Sequence, residues 1–390
     1  MAMSSVQTLS EALKTLYLDP IARQINENSG PVLAAIEKNS DNIVGSEIKF
    51  GLQYGRHGGV GARGESDNLP DASPRSYKQG ICKPKNLYAR INFSEKLMLV
   101  SKNDKASFVD AVSTQMEDIT NDARDMMRRN LLGKSDGIMA KVKTAATTQK
   151  TVEIDGNIKA FYVGQVVDIF TDSGSVSKKV DGKMIIDVDY VAGTIAFADN
   201  VTCGVGDLIS LHDNYKNELI GLGEIMVADS TIYGVDRSKN KWYNPHVYDK
   251  SGAFNSMYLQ EAIDDIDDFT GEKPDFITCD AAMQRAYIAE QNTYKRNIEY
   301  KKVDGGYKTI SYNDVAISKE KYMPEGTFYV LCTKMFTLSQ IADWGWMDAD
   351  GSILTRIADK AGYEASLTKY CELICKNISA QATITGITSA

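Results

Sequence analysis

Residues Glu47–Leu97 read EIKFGLQYGRHGGVGARGESDNLPDASPRSYKQGICKPKNLYARINFSEKL, and this stretch decides how the rest of the chain is read. Ile48, Phe50, Leu52 and Tyr54 alternate at its start, and Leu87, Ala89, Ile91 and Phe93 alternate near its end. That is the period of strands with one buried face. Between them lies a segment rich in Gly, Ser, Pro and Asp. The pattern predicts two strands that leave the body of the protein together and return, joined by a loose tip. Loops beyond about 12–15 residues without structure of their own are uncommon in compact domains. A two-stranded ribbon is marginally stable alone, so it needs a surface to lie on, and a neighbouring subunit is the most available one. The stretch points to an assembly component rather than an enzyme.

The helix that follows supports this. From about Ser107 to Leu132, Phe108, Val112, Met116, Ile119, Ala123, Met126 and Leu131 keep a three-to-four residue rhythm, and Gly133 is a plausible stop. At 1.5 Å per residue the helix spans roughly 38 Å, a length suited to a strut. Ahead of the ribbon, residues 8–37 suggest short amphipathic helices broken at Pro20 and Pro31. Beyond the helix, Lys143–Thr148 reads as a linker. Residues 147–213 then become short β runs separated by turns at Asp155-Gly156, Asp181-Gly182 and Ala192-Gly193, which suggests an inserted small barrel or sandwich. From about residue 217 the pattern is mixed α+β. It predicts a helix near Ser256–Phe269 behind Asn255, a strand at Pro274–Cys279, and a helix capped by Asp280. A β run at 309–318, a buried strand at Phe328–Cys332, a helix over 334–342 and a C-terminal β segment at Leu367–Ile387 follow.

With 390 residues, 43% of them apolar, the chain can bury a substantial core, and two or three domains are expected. A formal charge of −8 excludes a global attraction to nucleic acid. The six cysteines are scattered without a CxxC pair, so reduced thiols are expected. No apolar run is long enough to span a membrane, and the N-terminal residues lack a secretory pattern. A soluble intracellular product is expected.

Candidate chemistry is sparse. Gly59-Val-Gly-Ala-Arg-Gly64 matches G-x-G-x-x-G, but Glu65-Ser-Asp-Asn-Leu-Pro70 cannot start the helix that dinucleotide binding requires, so a flexible tip is the better reading. His57, His212 and His246 sit in three separate segments without partners at metal-ligand spacing. Cys371 and Cys375 read as buried small hydrophobes. Glu261, Asp264, Asp265, Asp267 and Asp268 form either a solvated helix face or a cation site at a subunit contact. Lys295, Arg296, Lys301 and Lys302, interleaved with Tyr294 and Tyr300, suggest a loop at a subunit junction more than a nucleic-acid stripe. Trp344 and Trp346 are core aromatics or an interface anchor. No catalytic, cofactor-binding or metal-binding residue is assigned.

The order of these parts resembles the major capsid proteins of tailed bacteriophages. Ser107–Gly133 looks like that family's spine helix, directly after a ribbon that looks like its extended loop. Pro274–Glu290 is similar to the strand-then-helix of its axial domain. Ser311–Trp344, with "V-x-x-S" and "M-P-x-G", resembles its recurring sequence there. The resemblance implies an α+β capsid fold divided into an N-terminal arm (1–44), extended loop (45–100), spine helix and peripheral domain (101–146), inserted β module (147–213), axial domain (214–362) and return strand (363–390). It implies a non-enzymatic shell subunit without cofactors, forming pentamers and hexamers around packaged double-stranded DNA, with scaffolding and portal partners and no membrane. It places the protein in the virion, after assembly in the host cytoplasm. Some members are cross-linked through an extended-loop lysine; Lys78, Lys83 and Lys85 lie in the right segment without a matching motif. An encapsulin-like compartment shell, or a carbohydrate- or receptor-binding role for the β module, are the alternative expectations.

Overall fold

The computed structural model describes residues 30–40, 43–66, 68–71, 74–96, 105–172, 176–293, 300–303, 307–348 and 354–388. The arm expected before residue 30 lies outside them. Pro31 opens a helix rather than breaking one: α1 (Pro31–Ala35) starts with Pro at its first turn, where the missing N–H costs nothing. β1 (Glu37–Asn39), β2 (Ile43–Val44) and β3 (Glu47–Tyr54) follow.

The ribbon is real but its return strand is not the expected one. β3 pairs antiparallel with β4 (Ser76–Cys82), from Ile48 opposite Cys82 to Tyr54 opposite Ser76. The Leu87–Phe93 alternation belongs instead to β5 (Lys85–Ser94), which joins a different sheet. The sequence SYKQGIC hides its strand because its outer part is exposed on both faces, leaving no apolar alternation to see. Gly80, opposite Phe50, is required there: a Cβ would stand 2.6 Å from the Phe50 ring.

α2 (Lys105–Leu132) is the long helix, ending one residue before Gly133. Ile119, Ala123, Met127 and Leu131, at steps of four, are buried against the ribbon root and β5. The chain then enters a closed barrel in the order β10-β7-β6-β11-β8-β9, formed by β6 (Ile138–Val142), β7 (Ala146–Gly156), β8 (Val166–Phe170), β9 (Lys178–Asp189), β10 (Thr194–Cys203) and β11 (Leu208–Leu211). Lys143–Thr148 is therefore not a linker, since β7 begins at Ala146. Closure removes the exposed edges that a small open sheet would carry. Val142, Val152, Phe161, Val167, Ile169, Ile185, Ile195, Phe197 and Ile209 form a core separate from the rest of the molecule.

After the barrel come α3 (Leu222–Ile225) and the hairpin β12 (Thr231–Ile232) and β13 (Val235–Asp236). Gly221 packs so closely on the end of α2 that a Cβ would lie 2.3 Å from the Asn130 carbonyl. Next are β14 (His246–Ala253), α4 (Met257–Thr270), β15 (Phe276–Cys279), α5 (Ala281–Thr293), β16 (Tyr300–Val303), β17 (Tyr307–Tyr312), β18 (Val315–Lys319) and β19 (Phe328–Leu331). The expected caps act as such. Asn255 Oδ1 accepts from Met257 N–H at 2.9 Å, and Asp280 accepts from Ala282 and Met283 N–H at 3.1 Å. The single β run expected at 309–318 is a hairpin, turned at Asn313 and Asp314 with φ of 46° and 64°.

The helix expected over 334–342 is a strand. β20 (Phe336–Trp346) pairs with β22 (Gly362–Cys375) along most of its length, with β21 (Thr355–Arg356) between them in sequence. Leu338, Ile341 and Trp344 fit a helical spacing, but the long partner strand decides in favour of sheet. Trp344 and Trp346 are buried and belong to the core. The C-terminal β segment divides in two. β22 is central to a five-stranded sheet with β5, β20, β1 and β21, whereas β23 (Ala382–Thr388) inserts between β14 and β19 of a seven-stranded sheet, β14-β23-β19-β15-β18-β17-β16. α4 and α5 share the core of that second sheet.

Candidate assembly surface

The root of the ribbon lies on its own chain. Ile48, Phe50 and Leu52 are buried, Phe50 meets Tyr233 edge to face with centroids 5.2 Å apart, and Tyr54 stacks on Trp242 at 4.5 Å. Ile81 N–H donates to the Tyr233 carbonyl at 2.9 Å, and Lys78 Nζ donates to Asn240 Oδ1 at 2.7 Å. The expectation that this ribbon needs a neighbour's surface is therefore corrected: residues 230–243 supply one for the root. The tip is different. Val60 and Leu69 are 84% and 86% exposed there. Gly59–Gly64 sits in this tip, and a turn at Glu65 and Ser66 follows it instead of a helix, so the phosphate-binding geometry is absent from these residues. Of the loop lysines, Lys85 Nζ donates to the Lys216 carbonyl at 2.7 Å.

A cleft of about 740 Å³ runs between α2, β5 and the barrel. Its floor is Ile119, Ala123 and Met126 of α2 with Ala89 of β5, and its opposite wall is Phe161 and Tyr162 of the barrel. Asp118, Asp122 and Asp125 line up along α2 at steps of four and three. Partial burial, then Asp118 and Asp125, push the Asp122 carboxyl up, and burial, then Asp122, raises the Tyr162 hydroxyl; both residues line the cleft. Asp125 is held by Lys321 at 2.8 Å and by Tyr322 at 3.2 Å.

Two adjacent arginines fasten α2 to what surrounds it. Arg128 pairs with the buried Glu320 at 3.0 Å, and Arg129 pairs with the buried Glu218 at the exit of the barrel. Glu320 also accepts from Val32 N–H at 3.3 Å, tying in α1. Lys216 N–H donates to the Asp136 carbonyl at 2.9 Å, so the two chain crossings into the barrel run side by side.

One polar cluster corrects the reading of His212 as a residue without carboxylate partners. The buried Asp168 on β8 accepts from His212 Nδ1 at 2.8 Å, Gly182 N–H at 2.8 Å, Asp213 N–H at 2.9 Å and Lys178 Nζ at 2.9 Å. Burial would raise this carboxyl, but these donors more than offset it and hold it at about 2. Asp181 stands close by, making a set of carboxylates and imidazole of metal-ligand type. Lys178 Nζ also contacts Asp181 at 2.8 Å and Asp213 at 3.1 Å, so an ammonium already sits where a cation would. The arrangement reads as a barrel clasp.

The remaining candidates disperse. Glu261 pairs with Lys250 at 2.7 Å, Asp264 accepts from Gln260 at 2.7 Å, and Asp265 accepts from the Tyr248 hydroxyl. They do not converge on one point. His246 packs against Phe269, centroids 5.1 Å apart, and burial lowers its pKa. Cys371 and Cys375 are fully buried in β22, where burial pushes the Cys371 thiol up to about 12. Tyr294, Lys295 and Arg296 lie outside the described residues, and Tyr300, Lys301 and Lys302 belong to the edge strand β16.

No protein-family model and no curated protein matches this chain. Among solved structures, the capsid asymmetric unit of cyanophage A-1(L) superposes over 92% of this chain and 93% of its own, with a TM-score of 0.58 at 9% identity. The chain has the capsid fold of tailed phages. A native GTA particle capsid also matches over 92% of this chain and 91% of its own, at 9% identity and TM-score 0.49. The SrpI encapsulin of Synechococcus elongatus PCC 7942 matches over only 37% of this chain and 54% of its own, at 15% identity and TM-score 0.31.

Proposed function

We propose that this chain is the subunit of a self-assembling icosahedral shell that encloses the double-stranded DNA of a tailed phage. The observation that carries the reading is the capsid fold over nearly the full length of both chains in the comparison with the cyanophage structure. The ribbon adds support, because its tip, with Val60 and Leu69 in solvent, offers surface to a second copy. No catalytic role is proposed.

In this reading α2 is the spine, the five-stranded sheet is the peripheral domain, and the seven-stranded sheet with α4 and α5 is the axial domain. The barrel of 138–211 is an insertion between spine and axial domain. Rings of five and six copies form through heterologous contacts, with obligate-scale interfaces on the order of 2,000 Å² or more. Scaffolding and portal proteins are the further partners, and assembly takes place in the host cytoplasm before the protein becomes part of the virion. The net acidity suits a container, since a basic inner wall would bind packaged duplex through counterion release and impede its movement.

Sedimentation velocity of the purified chain, with and without a co-expressed scaffold, tests this. Species of many copies are expected. A single species of 42.9 kDa in both preparations would refute the reading.

A further inference from the structure

We propose that the barrel of 138–211 is a hinged rigid body that swings on its two chain crossings, with Gly137 and Lys216 as the pivot and Asn157 and Tyr322 as the latch. The hinge is a property of the single chain. Within the shell reading it gives the barrel a role, since one chain placed in rings of five and of six must fit two sets of neighbours.

Three observations converge. The first is that the barrel is complete in itself. Its sheet closes, and its core of Val142, Ile169, Phe197 and Ile209 is separate from the core shared by α2 and the five-stranded sheet. Outside the crossings, Asn157 Nδ2 donates to the Lys321 carbonyl at 3.2 Å, and Tyr322 packs against both cores. Units joined through small contacts of this kind move relative to one another by default.

The second is space. The cleft of about 740 Å³ lies between the barrel and α2 with β5, and another of about 920 Å³ lies between the barrel and Val247, Tyr329 and Thr383 of the seven-stranded sheet. Tyr322 lines both. The charges along them are satisfied on their own side: Asp125 by Lys321 within the body at 2.8 Å, and Lys141 by Asp172 within the barrel at 2.8 Å. A swing therefore breaks neither pair.

The third is the pivot. Lys216 N–H donates to the Asp136 carbonyl at 2.9 Å, which joins the two crossings into one. The second crossing is fixed at both ends. On the barrel side Asp168 accepts from His212 and Asp213, and Tyr215 stacks on Phe170 with centroids 4.6 Å apart. On the body side Lys85 Nζ holds the Lys216 carbonyl at 2.7 Å, and Arg129 pairs with Glu218. Rotation is thereby confined to the junction of Tyr215 and Lys216 and to Gly137 beside it, and Lys216 and Gly137 are turn residues with φ of 63° and 72°. A few such residues suffice to absorb the backbone change of a hinge.

Distances between nitroxide labels, read by pulsed electron resonance on labelled chains diluted with unlabelled protein, test the hinge whether or not the chain has assembled. Val191→Cys with Met257→Cys spans barrel and body, and Val191→Cys with Val205→Cys lies within the barrel; all three positions are exposed, whereas the six native cysteines are buried. The spanning pair should give a distribution about twice as broad as the internal pair, and adding Asn157→Ala and Tyr322→Ala should broaden it further without changing the internal pair. A spanning distribution as narrow as the internal one, with and without the latch, would overturn the hinge and leave the shell reading standing. An internal pair that broadens with the latch substitutions would overturn the barrel as a rigid unit. A broad spanning distribution in a chain that never exceeds one copy would uphold the hinge and refute the shell reading alone.

Discussion

Tyr54, the last residue of β3, lies flat against Trp242 of the same chain, with ring centroids 4.5 Å apart and planes inclined by 10°. The stack ties the end of β3 to residues 230–243. Such pairs contribute about 0.5–1.5 kcal/mol beyond the area they bury. Trp242→Ala is therefore expected to leave the fold intact and to loosen the ribbon root. Tryptic cleavage after Arg75 and Lys78 should become several-fold faster, while cleavage elsewhere is unchanged. Equal rates in the two proteins would show that the stack does not hold the ribbon.

Arg129 and Glu218 should behave as a buried pair. Their side chains are 12% and 3% exposed, and Asn214 also donates to Glu218. Burial raises the Glu218 carboxyl and Arg129 only partly offsets that, so either group left alone is costly. Arg129→Met is expected to cost roughly 3–5 kcal/mol. Adding Glu218→Leu should recover much of the loss, read as denaturation midpoints of the single and double variants. A double variant no better than the single would argue against pairing as the cause.

Glu372 sets a pH dependence. It is fully buried, accepts from Ile220 N–H at 2.8 Å and Leu373 N–H at 3.1 Å, and makes no ion pair among the described residues. Burial pushes its carboxyl up to about 8. The folded state therefore holds a proton that the unfolded state, titrating near 4.5, gives up. Stability from this group is fully present below about 4.5 and is lost as pH rises to about 8, a change on the order of 4–5 kcal/mol. Glu372→Gln keeps an acceptor and removes the charge, so its stability should fall less between pH 6 and pH 9 than that of the wild type. Parallel curves would rule Glu372 out.

Asp168 works in the opposite sense. Its carboxyl is held at about 2, below the ordinary 3.8, so its contribution is present above 3.8 and lost as pH falls from there towards 2. Asp168→Asn is expected to lower stability at pH 7 by about 2 kcal/mol and to blunt the acid-induced loss. Thermal melts at pH 7 and pH 3 check both halves, and an Asn variant as stable as the wild type at pH 7 would sink the clasp.

The parts of the fold legible in the sequence are those whose signal is local. The long helix declared itself through Ile119, Ala123 and Leu131, and the barrel through its Asp-Gly turns, because each pattern is complete within a few residues. What stayed hidden depends on partners far along the chain. Ser76–Cys82 is a strand only because β3 lies beside it, and Phe336–Trp346 is a strand only because β22 does. The clasp joins Asp168 to His212, which are 44 positions apart and meet because β8 and β11 are neighbours with Ser210 opposite Asp168. A lone Asp within the apolar run Val166–Phe170, and a His-Asp pair just after Leu211, were the available signals. The cleft was not legible at all, since α2, β5 and the barrel converge only in three dimensions.

Electron microscopy of the purified chain tests the central claim most directly. Closed shells, or at least five- and six-membered rings with the long helix resolved in each copy, are the expected result. A field of isolated single-copy particles under every assembly condition, scaffold included, would contradict it.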